Sequence, residues 1–162
     1  LRKDNPLLTT RSKKYPEPLR VVFTKTLNLP HARNLWNCDS AKTLIVYDES
    51  SANKKYLDRL PKCVEIAKIP SDNPKLLSIL LAERGLNKIL WECGPTLATS
   101  AVKNGCIQET IAFIAPKIVG GVSSMTPFAD FDFEDMDKVK LLSKGSIQII
   151  NGDICLMNKL QQ

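Results

Sequence analysis

The sequence holds a single histidine, His31, and none of its five cysteines stands in a C-x-x-C pair. One imidazole leaves little room for histidine-based metal or nucleophile chemistry. His31 follows Leu29-Pro30 in a polar stretch and reads as a solvated loop residue. Cys38, Cys63, Cys93, Cys106 and Cys155 are odd in number and scattered. That pattern argues against a disulfide framework and against a zinc site, and it points to a reducing compartment. The phosphate-binding fingerprints G-x-G-x-x-G and G-K-[ST] are absent, as is the G-x-S-x-G nucleophile elbow. No apolar run approaches the about 20 residues that cross a bilayer. No charged-then-apolar leader opens the chain, so no export signal is visible and a cytoplasmic protein is expected. The opening residue, Leu1, leads to the expectation of a fragment.

What is present fits one soluble domain: 162 residues, 43% of them apolar and 25% charged. The net charge of +6 raises a nucleic-acid reading, and its distribution argues against one. Residues 1–20 carry six basic side chains (Arg2, Lys3, Arg11, Lys13, Lys14, Arg20) against Asp4 and Glu17, so the other residues are nearly balanced. Nucleic-acid binders spread basic residues along a face and interleave aromatics, whereas Tyr15 is the only aromatic in this segment. A compact basic spot suits a small phosphorylated ligand; a solvated terminal tail explains the charge equally well.

Apolar runs rich in β-branched residues alternate with helical patterns. Arg20–Lys25, Thr43–Asp48, Val64–Ile69, Lys88–Trp91 and Thr110–Ala115 read as strands, several apolar enough to be covered on both faces. Ala52–Leu60 reads as a short helix that stops before Pro61. Pro74–Arg84 is a better-marked one, capped by Asn73 and closed by Gly85, and Pro95–Lys103 repeats the grammar with Gly105 as its stop. Further strands are predicted at Val139–Leu142, Ser146–Ile150 and Asp153–Met157, the last two joined by Asn151-Gly152, a strong hairpin signal. The expected fold class is therefore α/β: one mixed sheet flanked by helices, with a C-terminal antiparallel hairpin.

Three segments carry chemistry. In Trp91-Glu92-Cys93-Gly94-Pro95-Thr96-Leu97-Ala98 a strand end meets a glycine turn and a helix start, whose free N–H groups and dipole suit an anion. A plain turn capped by Thr96 and Glu92 would look the same. Asp4-Asn5-Pro6-Leu7-Leu8-Thr9-Thr10-Arg11 begins with a turn former and ends on a guanidinium whose fork matches phosphate oxygens. Ala115-Pro116-Lys117-Ile118-Val119-Gly120-Gly121 places a lysine and a glycine pair past a strand end, and alone it is an ordinary loop.

Taken in order, D-N-P-x-L-T-x-R, P-L-R leading into a strand, E-C-G-P-T-L-A, I-A-P-K-I-V-G-G and a terminal N-G-D hairpin resemble the pyrimidine reductases of riboflavin biosynthesis, over nearly the whole chain. The spelling L-W-E-C-G is most similar to the plant and cyanobacterial branch. The resemblance implies a dihydrofolate-reductase-like fold, a homodimer, and NADPH-dependent reduction of a phosphoribosylamino pyrimidine to its ribityl product. By motif position it implies that Asp4 contacts cofactor and substrate, and that Leu7 and Arg11 hold the substrate, Arg11 toward its phosphate. Glu92 would accept hydrogen bonds from substrate. Gly94, Pro95, Thr96, Leu97, Ala98, Thr99 and Ser100 would cradle the cofactor phosphates. No residue stands out as an obligatory acid.

The chain departs from this pattern in two places. Many relatives have Asp-Ser where this chain has Thr24-Lys25, and there Lys25 replaces a hydroxyl by a charge. The H-x-E and P-C-x-x-C zinc ligands of the deaminase that many relatives carry are absent. Relatives also place two interior strands ahead of the Asp-Asn-Pro turn, so this numbering is expected to cover only part of the reductase domain. Lys88–Trp91 is then expected to pair with neither Arg20–Lys25 nor Thr110–Ala115, the lanes beside it standing empty or filled by polypeptide outside this numbering or from a partner chain. Two rivals stay open: a same-fold reductase of another pterin-like or pyrimidine substrate, and a non-catalytic relative that binds a nucleotide or a protein.

Overall fold

A computed structural model describes residues 4–120, 126–132, 134–143 and 145–161. The chain divides into two compact units, Leu1–Leu77 and Ser78–Gln162.

The first unit is built on a parallel sheet of β1 (Arg20–Thr24), β2 (Thr43–Asp48) and β3 (Glu65–Ile69), in the order β1-β2-β3. Arg20 pairs with Thr43 and Leu44 with Glu65, so β2 is the central strand. All six of its residues are buried, which explains its unbroken run of apolar side chains. Val22 of β1 and Ile45 and Tyr47 of β2 pack with Leu27, Leu35 and Val64 from the crossovers into a core, with Trp36, Tyr56 and Leu60 packed against it. The Thr43 hydroxyl, buried in this strand, is satisfied by the Leu35 carbonyl at 2.7 Å. Where a helix was expected over Ala52–Leu60, the chain makes a 3-10 helix at Lys54–Arg59, its first turn held by the Asn53 side chain.

One expectation is overturned here. Cys38 and Cys63 form a disulfide, their Cα atoms 6.2 Å apart. Cys38 lies in the β1–β2 crossover and Cys63 immediately ahead of β3. Both connections of a right-handed parallel unit run over the same face of the sheet, so cysteines separated by 25 residues meet without any sequence signature. Cys93, Cys106 and Cys155 are free.

Helix α1 (Pro74–Glu83) carries the boundary between the units. The Asn73 side chain accepts from the Lys75 N–H at 2.8 Å, as its capping role predicted. Gly85 at φ 79° ends the helix, with Leu86 N–H on the Leu81 carbonyl and Gly85 N–H on that of Ala82.

The second unit contains α2 (Pro95–Lys103) and an antiparallel sheet of β4 (Glu109–Ile114), β5 (Ser146–Ile150) and β6 (Asp153–Lys159), in the order β4-β6-β5. Asn151 and Gly152 both have positive φ, the turn their dipeptide predicted. Register sets the faces: Leu156 lies opposite both Ala112 and Ile147, and Ile154 opposite both Ile114 and Ile149. These six residues make one apolar face on which Ile147 is 71% and Ile149 78% exposed. On the other face Cys155 is buried. Residues 88–91 form no strand and enter neither sheet. Val139–Leu142 contributes only a single bridge, Leu142 to Leu160.

Candidate functional site

Each unit holds part of the predicted set. In the first, the turn before β1 carries exposed Asp4, Leu7 and Arg11. Its backbone is unusual: Asn5, Leu8 and Arg11 take φ of 40°, 50° and 53°. Left-handed backbone is natural for asparagine but costs a bulkier residue roughly 1–2 kcal/mol, so the surroundings must hold it. They do so at three points. Asn5 accepts the Asn34 N–H through its side chain at 2.9 Å and the Asn34 amide through its carbonyl at 2.8 Å. The Leu7 carbonyl accepts from Arg20 Nη1 at 3.4 Å. Thr10 donates its N–H and hydroxyl to the two carboxylate oxygens of Glu17, at 2.9 and 3.0 Å.

Arg20 is the structural hub of this region and sequence reading missed it. It is 1% exposed at the start of β1. Beyond Leu7 its guanidinium donates to the carbonyls of Asn34, Asn37 and Ala41 and to the Ser40 hydroxyl. Burial lowers its pKa and Glu17 opposes that shift. An arginine opening an otherwise apolar strand is a visible mark, but it does not name the carbonyls that converge on it. Lys25, the departure from the family pattern, is exposed and ion-paired with Asp72 at 2.9 Å.

In the second unit, Glu92 is exposed and makes no hydrogen bond to a described residue. Gly94 is the N-cap of α2 with no side-chain cap, and Pro95 opens the first turn. The first helical bond runs from Ala98 N–H to the Gly94 carbonyl. The N–H groups of Thr96 and Leu97 are therefore left for something outside the helix. Glu92 and Thr96 do not cap it. A Cβ built on Gly94 meets nothing within 4 Å, so the space beside the turn is open. These features fit a phosphate-bearing cofactor. Thr99 faces elsewhere: it is buried and its hydroxyl donates to the Ala129 carbonyl at 3.3 Å. Between Glu92 and Gly94, burial pushes the Cys93 thiol up, which keeps it protonated at neutral pH.

The Ala115–Gly120 part of the third segment is exposed, with Gly120 at φ 64°; Gly121 lies outside the described residues. His31 is exposed and lines a surface crevice with Pro30, Trp36, Tyr56 and Arg59, to which none of the predicted site residues contributes.

Comparison with known proteins gives consistent matches. The family model described as the RibD C-terminal domain matches residues 1–156. Riboflavin biosynthesis protein RibD of Synechocystis is 38% identical over 94% of this chain and 42% of its own length. The chloroplastic riboflavin biosynthesis protein PYRR of Zea mays is 36% identical over 96% of this chain and 25% of its own. The chain thus spans less than half the length of these relatives. Among solved structures, the Saccharomyces riboflavin biosynthesis reductase Rib7 superposes with a TM-score of 0.73 at 18% identity, covering 99% of this chain and 71% of that one. That likeness gives the fold: this is the mixed α/β architecture of those reductases.

Proposed function

The chain belongs to the RibD C-terminal domain family, and from that premise we propose that it reduces 5-amino-6-(5-phosphoribosylamino)uracil to its ribitylamino product with NADPH. The observation that carries the reading is the uncapped N-terminus of α2 behind an open glycine turn, in a chain whose motif order follows the pyrimidine reductases. NADPH supplies the hydride that converts the ribosyl group to an open ribityl chain. The protein's own part is binding and orientation, which lowers the barrier by proximity. Thr96 and Leu97 N–H groups, with Gly94 and the stretch to Ser100 apart from the inward-facing Thr99, hold the cofactor phosphates. Leu7 and Arg11 hold the substrate, Arg11 at its phosphate. Glu92 accepts hydrogen bonds from substrate, and Asp4 contacts both ligands. No side chain is assigned the proton.

Both units belong to one reductase domain in this reading, since the family match runs through them. We assign a homodimer, for which the apolar face of the β4-β6-β5 sheet offers a surface to cover. The location is the cytoplasm, or the plastid stroma in a plant, as the chloroplastic maize relative suggests; no helix among the described residues is long and apolar enough to cross a membrane.

The test is loss of NADPH absorbance in the full-length protein with the phosphoribosylamino pyrimidine as substrate. Turnover with NADPH and ribityl product supports the reading. Binding of both ligands without turnover would leave the non-catalytic alternative. A second expectation follows for the cofactor end. Gly94→Val should weaken NADPH binding roughly tenfold by blocking two N–H contacts. The fold should hold, because Gly94 has an ordinary φ of −73° and its Cβ position is open. Titration of NADPH fluorescence beside a thermal melt checks both halves, and a crystal with the pyrophosphate elsewhere would refute the assignment.

A further inference from the structure

We infer that Arg20 and Asn34 are positioning residues that hold the 4–11 turn in the one conformation presenting Arg11 to a phosphate-bearing ligand; the ligand half of this rests on the role proposed for Arg11. Three left-handed residues in seven positions do not persist by local preference, least of all at Leu8 and Arg11. The bonds that fix them come from outside the turn. Asn34 clamps Asn5 from two directions, backbone N–H to side chain and side chain to carbonyl. Arg20 fixes the Leu7 carbonyl and also the Asn34 carbonyl, so the clamp and the hub form one network. Its two Nη groups also grip the chain leading into β2 at Asn37, Ser40 and Ala41. The turn is thereby referenced to the most buried strand of its unit. At 1% exposure, Arg20 acts through the turn. A lysine could not replace it, because an ammonium lacks the planar fork that reaches several carbonyls at once.

Removing Arg20 risks the fold, so the clamp is the better handle. Asn34→Ala, Arg11→Ala and the double variant are compared in the full-length protein. Affinities are measured for NADPH and for the substrate with and without its phosphate, alongside amide hydrogen exchange. Asn34→Ala should reduce the preference for phosphorylated substrate about fivefold, as loss of one part-buried hydrogen bond implies, and leave NADPH affinity unchanged. Exchange should speed up at residues 7–11 while β2 stays protected. Added to Arg11→Ala, it should cost little more, because both act through one contact. Additive losses in the double variant, or an unchanged preference despite faster exchange, would overturn the inference. A parent enzyme with no preference for the phosphate would remove the Arg11 role and with it the ligand half. In that case the exchange data alone decide the clamp: unchanged exchange at residues 7–11 overturns it.

Discussion

Replacing Arg11 with alanine should raise the KM for the phosphorylated substrate ten- to a hundredfold and leave that for NADPH near its parent value. A charge-assisted contact is worth about 1.5–3 kcal/mol when lost, which is that range of affinity. Arg11 is exposed at the end of a turn tied down at Asn5, Leu7 and Thr10. Its head group is therefore presented, and its loss takes no packing with it. The effect belongs in binding: kcat should change little, since the contact exists before and during hydride transfer. Arg11→Lys should recover part of the loss, as a point charge without the bidentate fork. Steady-state kinetics with both substrates varied separate these terms. Equal affinity of the parent enzyme for phosphorylated and dephosphorylated substrate would sink the assignment.

The second large effect concerns stability. Breaking the Cys38–Cys63 bond should destabilise the protein by about 3 kcal/mol, because it closes a loop of 25 residues and limits the unfolded chain more than the folded one. That is roughly a hundredfold in the folding equilibrium. Cys63 is exposed, so a dithiol reductant has access to the bond. Denaturant unfolding with and without dithiothreitol should show the shift, and Cys38→Ser should show the same loss and no further response to reductant. A melt indifferent to reductant, with Cys38 and Cys63 both labelled by a thiol reagent in denaturant without reductant, would mean that the two cysteines do not pair in solution.

That bond marks a limit of sequence reading. Pairing between cysteines on two crossovers depends on which face of the sheet both cross, and composition does not encode it. Elements governed by local chemistry were legible: α1 and α2 begin and end where asparagine, proline and glycine placed them, and Asn151-Gly152 turns β5 into β6. The sheet strands β1 to β6 were readable within a residue or two, since burial on one or both faces leaves a pattern. Lys88–Trp91 carried the same pattern and is no strand, because a strand needs a ladder partner and no described segment supplies one. Val139–Leu142 failed more narrowly, reaching β6 by one bridge and the bonds of Ser143 and Gln161. For the proposed site, Asp4, Leu7, Arg11 and the α2 turn come from motif order. Arg20 and Asn34 do not, because their partners are carbonyls and a distant asparagine, and backbone acceptors leave no mark on a sequence.

The two sheets also set different clocks for folding. β5 and β6 meet across a two-residue turn, Ile150 beside Asp153, so that hairpin needs almost no loop closure and can form in about 1–10 μs. β4 must then find β6 across the length of chain that separates Glu109 from Lys159, and β2 can be completed only when both of its crossovers have closed. Such non-local pairings are slow. Pulse-labelled refolding should protect the amides of Ile147 to Leu156 first, those of Leu44 to Tyr47 next and those of β4 last, since β4 closes the longest stretch of chain. β4, with Ile111, Phe113 and Ile114 exposed even when paired, is then the segment longest open to capture by another chain.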